Sequence, residues 1–220
     1  MSFFPLYNSL RISLISTIFT FFLGIILAYE IKKLPAFLKG TLDVISMLPL
    51  VLPPTVIGLF LLKILGPNYF LGRFFLRYNI NLIMQWYSAI FASIMVAFPL
   101  MYRTSRGAFE AFDQNLFYAG QTLGKSNTWI FWRIVIPNCK KEIIAGVILS
   151  FARSLGEYGA TSMLAGYIPN RTSTISTTVY QFWRIGQDEL ALRWALINVL
   201  ISFVVLTSIN FLEKEKDKWW

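Results

Sequence analysis

The chain alternates between long apolar runs and short charged connections. Charge-free stretches at 12–29, 44–62, 78–102 and 194–212 are each bounded by charged residues, such as Arg11 and Glu30 around the first. A fifth apolar stretch, 143–165, is interrupted only by Arg153 and Glu157. A hydrocarbon core about 30 Å thick needs about 20 apolar residues in a helix. The pattern therefore predicts an all-α integral membrane protein. It has about five transmembrane helices, near residues 10–30, 43–63, 84–103, 141–166 and 193–212, in one domain spanning 1–220. The first run is expected to be a retained span, because no basic segment precedes it and no small-x-small cleavage site follows.

Two connections stand out. Residues 103–141 are too many for a turn, and they carry helix-like apolar spacing at Phe109, Phe112, Leu116 and Leu123. The spacing resumes at Trp129, Phe131, Trp132 and Ile136, with Gly124 and Pro137 as punctuation. Residues 171–186 are rich in Ser and Thr and too polar to span. Such a segment lies in the interface or dips into the membrane where protein or water satisfies its backbone.

Composition agrees with the pattern and removes several chemistries. Apolar residues make up 56%, charged residues only 14%, and mean hydropathy is +0.58. A soluble domain carries about 25% charged residues. The chain has no histidine and one cysteine, Cys139. That excludes His-based acid–base work, Ser-His-Asp and Cys-His arrangements, any Cys/His metal cage and an internal disulfide. No catalytic set and no metal site is expected. The net charge of +9 reads as membrane topology and not as a nucleic-acid surface.

Lysine and arginine set the orientation. If the segments after spans one, three and five are cytoplasmic, that side holds twelve cations: Lys32, Lys33, Lys39, Arg103, Arg106, Lys125, Arg133, Lys140, Lys141, Lys214, Lys216 and Lys218. The other side holds seven: Arg11, Lys63, Arg73, Arg77, Arg171, Arg184 and Arg193. The expected N-terminus is outside and the C-terminus cytoplasmic. Trp86, Trp183, Trp194, Trp219 and Trp220 fit interfacial anchors.

Residues 119–126, AGQTLGKS, meet a relaxed phosphate-loop pattern but not the strict one, which needs glycine at 119. The context is wrong as well, since no buried strand precedes them. A helix–turn–helix with Gly124 as C-cap is the plain reading. The same residues fit another pattern. From Tyr118 the chain reads YAGQTLG, then nine residues, then Ile134-Val135-Ile136-Pro137. This resembles the EAA loop of permease subunits in bacterial and archaeal ABC importers, matching at Ala119, Gly120, Gly124, Ile134 and Pro137. Tyr118 stands where the motif has its Glu, and Ile136 where it has Leu. The stretches 150–161 and 165–180 resemble molybdate permeases, and sulfate permeases more loosely, as does the proline-rich 48–59.

The resemblance implies a type I ABC importer permease fold with the five-helix core, lacking the extra N-terminal span of some relatives. It implies a transport subunit in a plasma membrane, not an enzyme, carrying a tetrahedral oxyanion, with molybdate favoured and tungstate, sulfate or thiosulfate as alternatives. The implied partners are a second copy, two ATPase subunits and an external oxyanion-binding protein. ATP and Mg belong to the ATPase, and this chain binds no cofactor. Residues 118–137 would be the knob through which the ATPase drives the membrane helices. A channel or secondary transporter, needing no ATPase, is the rival class, as is an ancillary assembly protein with no path of its own.

Arg153 and Glu157 are the charges that matter most. Arg153 lies twelve residues beyond Lys141, about 18 Å along a helix and near mid-membrane. Residues four apart share a face, so the two can pair and reduce the cost of burial. Arg153 either lends positive potential to an anion path, or the pair fixes packing at the subunit interface. Gly156 and Gly159 beside it are expected to permit close helix approach. Pro49, Pro53 and Pro54 interrupt the backbone ladder of the second span, and Pro99 that of the third. Pro53 and Pro54 thus bend a helix that either flexes around a path or is merely kinked.

Overall fold

The computed structural model describes residues 2–214, with side chains as far as Thr207. Lys216, Lys218, Trp219 and Trp220 lie outside the described residues. All regular structure among the described residues is helical.

Helix α1 (Phe4–Lys32) turns the usual amphipathic logic inside out. Its buried face carries Asn8, Ser9, Ser13, Ser16, Thr17, Thr20 and Gly24 beside Ile12, Ile25, Ala28 and Ile31, whereas Leu14, Ile18, Phe22 and Ile26 are exposed. Lipid tails are as apolar as leucine, so small residues that permit close packing go inward and bulk goes outward. The face of α1 meets α5 (Ser88–Ala111) in parallel. Ser16 donates to the Ile90 carbonyl, Gly24 lies against Met101, and Lys32 donates to the Phe109 carbonyl. A Cβ at Gly24 would sit 2.7 Å from Met101 Cγ, so this crossing requires glycine. On its other side α5 packs antiparallel to α9 (Lys140–Leu155). Cys139 reaches the Ala108 carbonyl, Gly146 faces Thr104, and Ser150 donates to the Ala97 carbonyl. These three helices form the core. Helix α12 (Asp188–Lys214) lies against α9 and α11 (Ile175–Arg184).

The second and fourth spans differ from their expected form. The stretch 43–63 is not one helix. Helix α2 (Ala36–Val51) and helix α3 (Pro54–Leu65) meet at a bend of 110°. Pro49 is tolerated inside α2, but Pro53 and Pro54 lack N–H groups, and Leu52 adopts the extended backbone favoured before proline. The stretch 141–166 also divides, into α9 and the short α10 (Gly159–Leu164), separated by Gly156, Glu157 and Tyr158. Pro99 lies within α5 without ending it. By length and composition α1 and α12 can each cross a membrane, and the bent α2–α3 pair is a broken span or a re-entrant loop.

No residue of helix α2 is fully buried; Leu42 and Met47 pack partly buried against the core that includes α5, and polar groups add further ties. Asp43 accepts from Tyr102 and pairs with Arg106, while Lys39 lies 2.9 Å from Glu110, which also meets Arg106 at 3.2 Å. The hydrogen bond from Lys39, then that from Arg106, holds the Glu110 carboxyl below the usual carboxylate range. Its contribution to stability is complete above the unfolded pKa and is lost as pH falls through the lowered one. A short helix, α4 (Phe70–Leu76), follows α3.

Cys139 sits at the root of the 103–141 connection, 3% exposed. Burial pushes its thiol up to about 11. Only the thiolate is nucleophilic, and at pH 7 it would be about one part in ten thousand. Maleimide is therefore expected to leave Cys139 unmodified in the native protein and to label it after denaturation, as read by mass. Full labelling of folded protein within minutes would contradict the packing described.

Candidate functional site

The 103–141 connection folds into a compact knob. Helix α6 (Gln114–Thr122) starts at Asp113, whose carboxylate accepts from the Asn115 N–H at 2.9 Å. It ends with Lys125 N–H on the Gly120 carbonyl at 3.1 Å, across Gly124 at φ +71°. This six-to-one closure needs a left-handed residue, which glycine adopts without a Cβ penalty. Gly124 has open space around its missing Cβ, so conformation and not crowding selects it. Gly120 is the opposite case. It is buried, and a Cβ there would lie 2.9 Å from Ile130 and 3.3 Å from Ile134.

The second arm begins at Ser126, whose hydroxyl accepts from Trp129 N–H at 3.3 Å and starts α7 (Asn127–Ile130). A π-helical turn, Phe131–Val135, leads into α8 (Ile136–Asn138). Pro137 cannot donate to the carbonyl four residues back, and a widened turn just before it accommodates that loss. Gln121 bridges the arms through Asn127 at 3.0 Å. Ile130 and Val135 are buried with Phe109, Phe112 and Cys139, and Phe131 lies 4.4 Å from the Tyr29 ring of α1. Tyr118, Ala119, Leu123 and Trp132 face outward. The knob thus presents an apolar tip and roots itself in α1 and α5.

The other candidates meet where the two broken helices touch. Arg153, in the last turn of α9, donates to Glu157 at 2.9 Å. The second Glu157 oxygen accepts from the Ala160 N–H at 2.8 Å, satisfying a donor at the start of α10. The Glu157 side chain is 1% exposed and that of Arg153 31%. Among the described residues Glu157 is the hydrogen-bond partner of Arg153, and most of the guanidinium's five N–H groups remain uncommitted. Arg153 is thirteen residues on from Lys140, so the pair sits about 20 Å from the start of α9.

The glycines of this region divide. At Gly159 a Cβ would lie 2.9 Å from Pro54 Cβ and 3.3 Å from the Thr55 nitrogen, so α10 and α3 touch there. Gly156 caps α9 at ordinary dihedrals, and its Cβ would meet only the Ala152 oxygen at 3.8 Å. Among the described residues of this chain, no neighbouring helix comes close at Gly156. Its place is taken by Gly58, where a Cβ would be 3.0 Å from Ala160 Cα. Sequence reading missed Gly58, although its spacing of four from Pro54 puts both on one face of α3. It also missed the polar cluster of Asp43, Tyr102 and Arg106, because nothing local links residues so far apart. Pro53 ends up as the N-cap of α3, and Pro54 as its first residue and the partner of Gly159.

The fold as a whole, and much of the sequence, are shared with known proteins. A bacterial ABC transporter involved in the import of the acidic polysaccharide alginate has a chain that superposes with TM-score 0.77 at 19% identity, covering 99% of this chain and 82% of that one. That likeness is one of fold. The putative molybdenum transport system permease protein YvgM of Bacillus subtilis is 36% identical over 94% of this chain and 92% of its own length. The molybdenum transport system permease protein ModB of Haemophilus influenzae is 34% identical over 96% and 93%. The family described as binding-protein-dependent transport system inner membrane component matches residues 20–218. The chain belongs to that family of inner-membrane transport subunits, which are permeases and not enzymes.

Proposed function

We propose that this chain is the membrane-spanning subunit of an ATP-driven importer for a tetrahedral oxyanion, molybdate foremost. The observation that carries the reading is the similarity to molybdenum permease proteins along nearly the whole chain, joined to the knob at 118–137. The working assembly is two copies of this chain, two ATPase subunits that hold ATP and Mg, and an external oxyanion-binding protein. It sits in the plasma membrane of a bacterium or archaeon. The excess of lysine and arginine on the knob side supports an external N-terminus and a cytoplasmic C-terminus.

In this reading Tyr118, Ala119 and Leu123 meet the ATPase, and Gly124 shapes the tip. Closure of the ATPase pushes on α6, and Gly120 against Ile130 and Ile134 carries the push to the second arm. Phe131 on Tyr29, together with Phe109, hands it to α1 and α5. At mid-membrane, Glu157 ties the end of α9 to the start of α10, so α10 and the α3 packed on it move with α9. Arg153, about a third exposed, keeps donors beyond the one given to Glu157. A charge at that depth cannot face lipid cheaply, so it faces the second copy and the anion path between them.

Reconstituted with its ATPase and binding protein, the complex is expected to import labelled molybdate or tungstate only when ATP is hydrolysed. Sulfate uptake at equal rate would move the substrate to the sulfate class, and uptake without ATPase would make the chain a channel or secondary transporter.

Gly124→Glu places a side chain where φ is positive, at a cost of about 1–2 kcal/mol, but into open space. The variant is expected to assemble and keep ATP hydrolysis while losing uptake. Normal uptake would show that the tip does not couple.

Arg153→Met leaves a lone buried carboxylate, a loss of about 3–5 kcal/mol, so folded complex should fall. Adding Glu157→Gln removes that charge and keeps an oxygen for the Ala160 N–H. The double variant is expected to recover assembly yet transport about tenfold slower per complex, the worth of one charge-assisted hydrogen bond. Full recovery of uptake would mean that the pair serves packing alone.

A further inference from the structure

A groove of about 640 Å³ lies between the end of α1 and the knob. One wall is α1, with Ile26, Tyr29, Lys32 and Lys33, and the other is the second arm of the knob, with Phe131 and Trp132. From these side chains we infer that the groove binds an anionic glycerophospholipid of the cytoplasmic leaflet, one per copy. The choice of leaflet rests on the orientation proposed above, and the consequence for coupling on the role proposed for the knob.

The lining grades with depth as a lipid does. Ile18, Phe19, Phe22, Leu23 and Ile26 form one exposed apolar stripe on α1, at spacings of one and four. The stripe runs into the groove at Ile26, and Lys33 lies seven residues further, about 10 Å along the axis. Trp132, 51% exposed, also lines the groove, and an indole prefers the headgroup boundary. An acyl chain on the stripe would therefore bring its headgroup to the lysines.

Charge selects the class of lipid. Lys33 lies 2.6 Å from Glu30 and 4.0 Å from the Tyr29 ring, and Lys32 donates to the Phe109 carbonyl. Each ammonium has three N–H donors, so these contacts leave donors over. Two cations face one carboxylate, and the imbalance favours an anion. A zwitterionic lipid brings its own cation and does not answer it. The cytoplasmic leaflet is the anionic one, and each lysine near it contributes attraction that decays within a Debye length.

The place gives such a lipid a consequence. The groove wall contains Phe131 and the turn that joins the knob to Tyr29, so an occupant braces α1 against the arm that would transmit ATPase closure. Coupling in the importer then depends on anionic lipid.

The test is native mass spectrometry of the complete complex with its ATPase, delipidated and titrated with phosphatidylglycerol or phosphatidylcholine. One retained phosphatidylglycerol per permease copy is expected, and no retained phosphatidylcholine. Lys33→Gln should weaken it about fivefold, and Lys32→Gln with Lys33→Gln about 25-fold, whereas Arg77→Gln should change nothing. If the double variant fails to assemble, Lys33→Gln alone decides, because that amine is surface-placed. Equal retention of both lipids, or unchanged affinity in Lys33→Gln, would overturn the site. Displacement by glycerol 3-phosphate would mean a soluble anion binds instead. Retention by the permease alone but not by the complex would mean that the ATPase covers the groove, and would also overturn it. The readout is lipid mass, so failure of oxyanion uptake leaves it intact, and uptake without bound lipid would sink only this inference.

Discussion

Helix α5 is held between α1 and α9 by close backbone approach, and everything else is hung on that sandwich. Gly24 of α1 and Gly146 of α9 both make room for Met101, which lies where the three helices meet, and Gly146 also admits Thr104. In lipid there is no hydrophobic force to press helices together. Dispersion between closely packed backbones and hydrogen bonds such as Ser16 to Ile90 and Ser150 to Ala97 must serve. The result is a rigid three-helix unit whose outer surface is bulky and apolar.

Against that unit pack the two broken helices, around their own buried cluster of Ile57, Leu61, Ala160 and Leu164. Unpaired backbone groups are costly away from water, so a helix can break there only where protein satisfies the loose ends. Glu157 does so for Ala160, and proline removes the donors that would otherwise be orphaned at the start of α3. Gly159 and Gly58 then allow the two breaks to stack. The carboxylate both pairs with Arg153 and caps α10, which is why it is the more buried of the two charges.

The knob is attached to the sandwich by aromatic rings and not by charges. Tyr29, Phe109 and Phe131 form a contiguous cluster at its root, with centroids 4.4 to 6.1 Å apart. Such a joint is stiff enough to pass on a push, since packed interiors transmit strain. A chain of charges from Lys39 through Glu110 and Arg106 to Asp43 adds a polar tether for α2.

Much was determined by the sequence alone. Apolar run length is a local, additive property, so the membrane class and the long apolar helices α1 and α12 were legible in it. The knob was legible too, because its glycine, proline and apolar spacing lie within twenty residues, and Gly124 needs its positive φ whatever surrounds it. Two spans that read as continuous are broken, because a proline or glycine signals only that a helix can end there. Whether α2 bends by 110° depends on α10 being present to receive Pro54. Gly156 and Gly159 look alike in sequence, yet among the described residues of this chain only the second meets a neighbouring helix, and nothing near Asp43 announces Arg106. Those outcomes belong to the tertiary structure, since crowding and pairing are set by which distant segment arrives, and that is a property of the packed whole.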